Sequence, residues 1–171
     1  MKINIRHFEL KEWADLITGL VLAENDEWVL IHEIPADYVW DGFILIQKQQ
    51  LEDDYKDDDS DLKELVLSLK KFTPHLPQGF QLGNVDQMFK YIQAEYSIFG
   101  VQDEEDVISV GHIQSIVANE LRLHYITPEG FPDPSIVAPI FLSDIQCIHF
   151  GSDYLKSVHL LWEYRKQVQS N

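Results

Sequence analysis

The sequence predicts a mainly β protein with helices (α+β), built as two tandem small barrels related by internal duplication. The first observation is a repeat, because residues 19–34 recur without a gap as residues 111–126, 92 positions later. The second is that both stretches alternate apolar and polar residues around a polar break, as the strands of a hairpin do. The third is length, since 171 residues suit one domain or two small ones. We predict a first repeat with a C-terminal helix over 1–72, a linker over 73–83 and a second repeat with flanking helices over 84–171.

The repeat aligns residues of the same kind. The matched pairs are Gly19 with Gly111, Val21 with Ile113, Val29 with Leu121, Ile31 with Leu123, His32 with His124, and Ile34 with Ile126. The polar breaks fall at 25–27 and at 118–120. We therefore expect a pair of antiparallel strands in each half, with the strands in the same order.

The first half opens with a short alternating run over 3–13, which is typical of either a strand or a single helical turn. Strands are predicted over 16–22, 28–34 and 43–51. Residues 52–64 contain eight acids against two lysines, a composition typical of a solvated, mobile run. A helix over 62–72, capped by Ser60 or Asp61, is predicted to carry one apolar stripe: Leu62, Leu65, Val66 and Leu69.

The second half begins after the linker, which contains Pro74, Pro77, Gly79 and Gly83. Asn84 is predicted to cap a helix ending near Tyr96, with four inward residues: Val85, Met88, Phe89 and Ile92. An acidic turn follows at 103–106, then the repeated hairpin, then strands over 136–142 and 145–150. The closing helix has an apolar side of Leu155, Val158, Leu161 and Trp162, and its start at 152–156 echoes 60–63.

The second half resembles the Sm-like group of small, SH3-like barrels with five strands. The resemblance is carried by residues 111–116 followed by 121–123, which are similar to that family's first pair of strands. It implies the fold, here doubled in tandem. The family's RNA-binding loop positions are replaced by residues 117–120, and the later strands contain no Arg-Gly step, so RNA binding does not carry over.

Composition excludes some classes of function and favours others. A formal charge of −16 opposes binding to nucleic acids and to anionic membranes, and it favours a basic protein partner, cations or solubility alone. The single cysteine, Cys147, favours a reducing cytoplasm. The sequence predicts neither a signal peptide nor a membrane span.

Three groups of residues are candidates for chemistry. Cys147 and His149 would share one face of a strand, but a buried, unreactive thiol is the expected state. His112 and His124 are expected to be outward cross-strand neighbours, and two imidazoles alone are an incomplete zinc site. The acidic run does not fit the EF-hand pattern, because Leu62 stands where that loop needs glycine. We therefore assign no catalytic, metal-binding or cofactor-binding residue.

A protein-binding role is the leading prediction. The candidate contacts are the aromatic residues Tyr38 and Trp40 and the acids Asp57, Asp58 and Asp59. We expect a non-catalytic cytoplasmic interaction or scaffold protein. The alternative is an acidic immunity- or inhibitor-type protein that binds a basic toxin or nuclease, and a hydrolase or metal enzyme is the third reading. Trp40 could instead cover the end of a barrel, and the acids could serve only as a solvated loop.

Overall fold

A computed structural model describes residues 3–169 of the chain. The chain forms two compact units, Met1–Gly83 and Asn84–Asn171. The described residues form ten strands and three α-helices, so the protein is α+β and mainly antiparallel β. None of the helices in this part of the chain is long and apolar enough to cross a membrane.

The first unit contains five strands followed by a helix: β1 (Ile5–Leu10), β2 (Ile17–Glu24), β3 (Trp28–Glu33), β4 (Phe43–Gln47), β5 (Leu51–Tyr55) and α1 (Asp58–Leu69). Their order in the sheet is β5-β1-β2-β3-β4, with antiparallel pairing throughout. The opening run is therefore a strand. Residues 51–55 form a fifth strand that the sequence pattern does not predict.

The second unit starts with a helix: α2 (Val85–Tyr96), β6 (Phe99–Glu104), β7 (Val107–Val117), β8 (Glu120–Tyr125), β9 (Ile140–Phe141), β10 (Cys147–Phe150) and α3 (Asp153–Gln169). Its strands are ordered β10-β6-β7-β8-β9. Numbered within its own unit, each set of strands has the order five, one, two, three, four. Neither set closes into a barrel over the described residues, because its two outer strands are not paired with each other. The prediction of closed barrels is therefore not confirmed.

The two repeated hairpins have the same register. In the first, Gly19 lies opposite Glu33, and in the second Gly111 lies opposite Tyr125, each position shifted by 92. A bulge interrupts each pairing at the equivalent place, between Val21 and Ala23 and between Ile113 and Ser115. Both predicted hairpins are present, although their turns differ: Asn25 accepts hydrogen bonds from two backbone amides, whereas Ala118 has a φ of 53°.

In each unit, apolar side chains of the sheet and of the helices are buried together. Trp28 is 2% exposed, and Asn84 caps α2, as predicted, by accepting the N–H of Asp86. Met88, Phe89 and Ile92 of that helix are buried as predicted. The strand expected over 136–142 shrinks to Ile140–Phe141, because the preceding segment is a proline-containing loop.

Candidate functional site

A polar network fixes the start of α1 within the acidic run. Asp57, not Ser60 or Asp61, is the N-cap of α1, and its Oδ1 accepts the backbone N–H of Ser60 at 2.9 Å. The backbone N–H of Asp57 donates back to the hydroxyl of Ser60, which completes a capping box. The Ser60 N–H holds the pKa of Asp57 below its ordinary value, and the imidazole of His7 adds to the effect. Residues 52–64 therefore contribute to β5 and to the first turns of α1 and do not form one irregular run.

His7 connects β1 to the start of α1. The residue is 6% exposed; Nδ1 contacts the hydroxyl of Thr18 at 2.8 Å, and Nε2 contacts Oδ1 of Asp57 at 3.0 Å. Oδ2 of Asp59 lies 3.7 Å from the same nitrogen and also pairs with Lys63. Two of the three acids predicted as partner contacts therefore have internal partners. Asp58 is exposed on the outer side of the same helical turn.

His7, Asp57 and Asp59 are the only group of three metal-ligating side chains found close together in residues 3–169, with ligand atoms within 4.8 Å of one another. Three features of this group oppose a cation. Asp57 already accepts two hydrogen bonds from Ser60, the N-terminus of α1 carries partial positive charge, and Lys63 competes for Asp59. The group therefore serves the packing of α1 on β1.

The aromatic candidates lie near the other end of α1. Trp40 stacks on Phe72 just beyond the helix, with ring centroids 4.9 Å apart and planes 2° apart, and it also contacts His32. This half-buried stack agrees with Trp40 as a covering residue. Tyr38 is 40% exposed, and Nζ of Lys70 lies 5.9 Å from its ring centroid. Tyr38 therefore remains available to a partner.

The outer side of α1 carries an apolar surface that we call the leucine face: Leu62, Leu65 and Leu69. These side chains are 48%, 55% and 73% exposed. The leucines of the predicted stripe therefore lie on the solvent side, because the inner side of α1 is formed by other residues: Ser60, Lys63, Glu64 and Leu67.

The polar inner side fits its surroundings. Glu64 accepts the backbone N–H of Ile5 at 2.9 Å and pairs with Lys56 at 2.6 Å, while Leu67 is 2% exposed. The helix therefore packs through charge and one leucine and leaves three leucines in solvent. The sequence does contain a signal for this orientation. Ser60 and Leu67 are seven residues apart, as Leu62 and Leu69 are, so they form a second stripe along the helix.

The histidines of the second unit also differ from expectation. His112 and His124 lie directly opposite each other, as predicted, with ring centroids 4.9 Å apart. Only His124 is exposed, because Trp162 of α3 covers His112 at 5.1 Å. Burial, followed by the charges of His124 and Lys166, lowers the pKa of His112. His112 and His124 therefore help α3 to pack on the sheet instead of forming an open outer face.

Cys147 is 0% exposed, which confirms the predicted burial of the thiol. His149 is half-buried as a residue, but its Nε2 is enclosed and has no hydrogen-bond partner. Burial lowers the pKa of His149 to about 4, so the ring is neutral near pH 7. Both residues lie on β10, which pairs with β6.

Open grooves line both units. One of about 410 Å³ lies between β8 and the following loop, with Arg122, His124 and Asp133 among its polar groups. Another of about 450 Å³ lies between α2 and β7, where Gln93 accepts the N–H of Ile113 at the bulge. A third, of about 340 Å³, lies beside β1 in the first unit. Tyr38 and Asp58, two of the predicted contacts, lie near the two ends of the helix that carries the leucine face.

Comparison of the chain with protein-family models, with curated proteins and with solved structures found no match.

Proposed function

We propose that this chain is a non-catalytic interaction or scaffold protein that binds another protein through the leucine face of α1. The observation that carries this proposal is the exposure of Leu62, Leu65 and Leu69 on a helix that packs through its opposite side. Grouped apolar side chains in solvent are typical of contact surfaces. Tyr38 and Val39, 40% and 57% exposed, supply further apolar surface near the C-terminal end of α1. A cytoplasmic location belongs to the same proposal and is supported by the single, buried cysteine.

We also propose that the two units arose by duplication of one Sm-like module with five strands. The support is the common strand order together with the common hairpin register and bulge. Interaction surfaces would then have diverged separately in the two copies. RNA binding is not part of the proposal, because the net charge of −16 repels phosphate.

An acidic immunity- or inhibitor-type role is the second candidate. It is favoured by Asp58 and Asp61, which are exposed beside the leucine face; the side chain of Asp61 is 73% exposed, although it lies 3.7 Å from Nζ of Lys56. Such acids would steer a basic toxin or nuclease by long-range attraction. Changing both to Asn tests this role without removing the Asp57 cap. The association rate with the toxin should fall and lose part of its salt dependence.

The function is tested by site-specific photo-crosslinking in cells that produce the protein. A benzophenone amino acid replaces Leu65 in one variant and Leu160 in a matched control, because Leu160 is 72% exposed on α3. We expect a discrete protein adduct from position 65 that is at least several-fold stronger than any adduct from position 160. Equal adducts, or none from position 65, would contradict the proposed binding surface.

A further inference from the structure

The charged residues of α1 are distributed unevenly along the helix, and this distribution constrains the partner that can bind. Exposed Asp58 and Asp61 lie at the N-terminal end, where Lys56 pairs with Asp61 at 3.7 Å and leaves an excess of acids, and exposed Lys70 and Lys71 follow the C-terminal end. The leucine face lies between them and spans about 10 Å along the helix axis. The surface therefore has an acidic end, an apolar middle and a basic end.

We propose that the leucine face binds the same face of a second copy of this chain, with the two α1 helices antiparallel. This inference rests on the proposed function and names the partner at that surface. A two-fold axis perpendicular to the helix, near Leu65, brings the acidic end of each α1 beside the basic end of the other. The leucines then meet in the middle. In this arrangement each charged end of the surface lies beside the opposite charge of the second copy.

A uniformly basic partner complements this surface less well. It would attract Asp58 and Asp61 but would be repelled by Lys70 and Lys71. A parallel arrangement of two α1 helices places like charges together at both ends. Antiparallel self-association is therefore the arrangement that the charges favour.

The exposed stripe on α3 provides a comparison. Leu161, Tyr164 and Val168 are also solvent-facing, at 41%, 62% and 56% exposure. The charges of this helix are mixed at both ends: Asp153 and Lys156 lie near its start, and Lys166 pairs with Glu163 near its end. They therefore do not favour one orientation of two α3 helices, and α3 serves as a comparison surface.

The expected dimer is weak and depends on salt. Three leucines with Tyr38 and Val39 form a small contact, of the size seen in transient complexes. Each copy carries −16, so the copies repel each other at low ionic strength. At about 0.15 M salt this repulsion is screened beyond about 8 Å, while pairs in contact persist. We expect self-association in the micromolar range that weakens when salt is removed.

Sedimentation equilibrium of the full chain at about 0.15 M salt tests the inference. Leu65→Asp should weaken self-association at least about tenfold, which is about 1.4 kcal/mol. Leu160→Asp, the matched control on α3, should leave it unchanged. Circular dichroism checks that each variant is folded, which is expected because both leucines are exposed.

Charge exchange supplies the second arm of the test. The pair Asp58→Lys and Asp61→Lys should weaken the dimer, as should the pair Lys70→Glu and Lys71→Glu, because each places like charges at both contacts. All four changes in one chain should restore association to within about threefold, since the complementarity is then reversed. A wild-type chain that stays monomeric, or a fourfold variant that stays weak, would overturn the inference. A monomer that still gives the position-65 adduct would leave the proposed function standing.

Discussion

Gly111→Ala should destabilise the second unit by about 3 kcal/mol or more, the upper range for an overpacked core position. A Cβ at residue 111 would lie 2.3 Å from the carbonyl oxygen of His124 and 3.2 Å from Cα of Tyr125. Both atoms belong to the backbone of the paired strand, so they can move only if β7 and β8 separate. The hairpin register requires this glycine.

Urea unfolding of the purified variant measures the effect. Gly83→Ala is the matched control, because its Cβ would meet nothing within 4 Å. The equivalent change Gly19→Ala should also destabilise, through contact with the Ile31 side chain at 2.5 Å and the His32 carbonyl oxygen at 3.0 Å. Equal urea midpoints for Gly111→Ala and Gly83→Ala would contradict the described register.

Acidification should destabilise the protein through His149 by about 3 kcal/mol between pH 7 and pH 4. The folded pKa of this ring is about 4, against an ordinary value of 6.5. The unfolded chain therefore binds the proton first as pH falls. Stability from this group is complete above about pH 6.5 and is lost progressively down to about pH 4.

Glu33 acts in the opposite direction, because burial, together with the charge of Asp41, raises its pKa to about 7. Its protonation in the folded state favours folding as pH falls from 7. The diagnostic quantity is therefore the difference in unfolding free energy between wild type and His149→Gln across this range. That difference should shrink or reverse toward pH 4. His75→Gln, which changes an exposed histidine, is the control; a parallel profile for His149→Gln and wild type would be the contrary result.

The hairpins were predictable because their pattern is local. Strict alternation and a glycine at the point of closest approach define β2, β3, β7 and β8 without knowledge of the rest of the chain. α2 was predictable for the same reason, from a capping asparagine and one unambiguous apolar stripe.

β5 and the orientation of α1 could not be predicted in this way. Residues 51–55 are mostly acidic and form a strand because β1 supplies hydrogen-bonding partners, from His7 opposite Tyr55 to Leu10 opposite Leu51. In α1 the leucines gave the stronger periodic signal, yet Glu64 packs inward because Ile5 offers a backbone donor and Lys56 a charge. Long-range polar contacts thus overrode local hydrophobic periodicity.

The orientation of α1 also explains why the candidate site differs from the predicted one. Asp57 and Asp59 were predicted as partner contacts from charge alone, but His7, 50 and 52 residues earlier in the chain, binds them internally. Once α1 is turned, Asp58 and the leucines share the outer side. The predicted site of two aromatic residues and three acids thus shifts to an apolar surface bordered by acids.

Cysteine labelling measures most directly whether the leucine face is covered by a partner inside cells. Cys147 is fully buried, so Leu65→Cys and Leu160→Cys each add one accessible thiol. In dilute purified protein both introduced thiols should react rapidly with a maleimide. Inside producing cells we predict that the thiol at position 65 is protected several-fold relative to the thiol at position 160. Equal labelling of both positions in cells would contradict the claim that the leucine face binds protein.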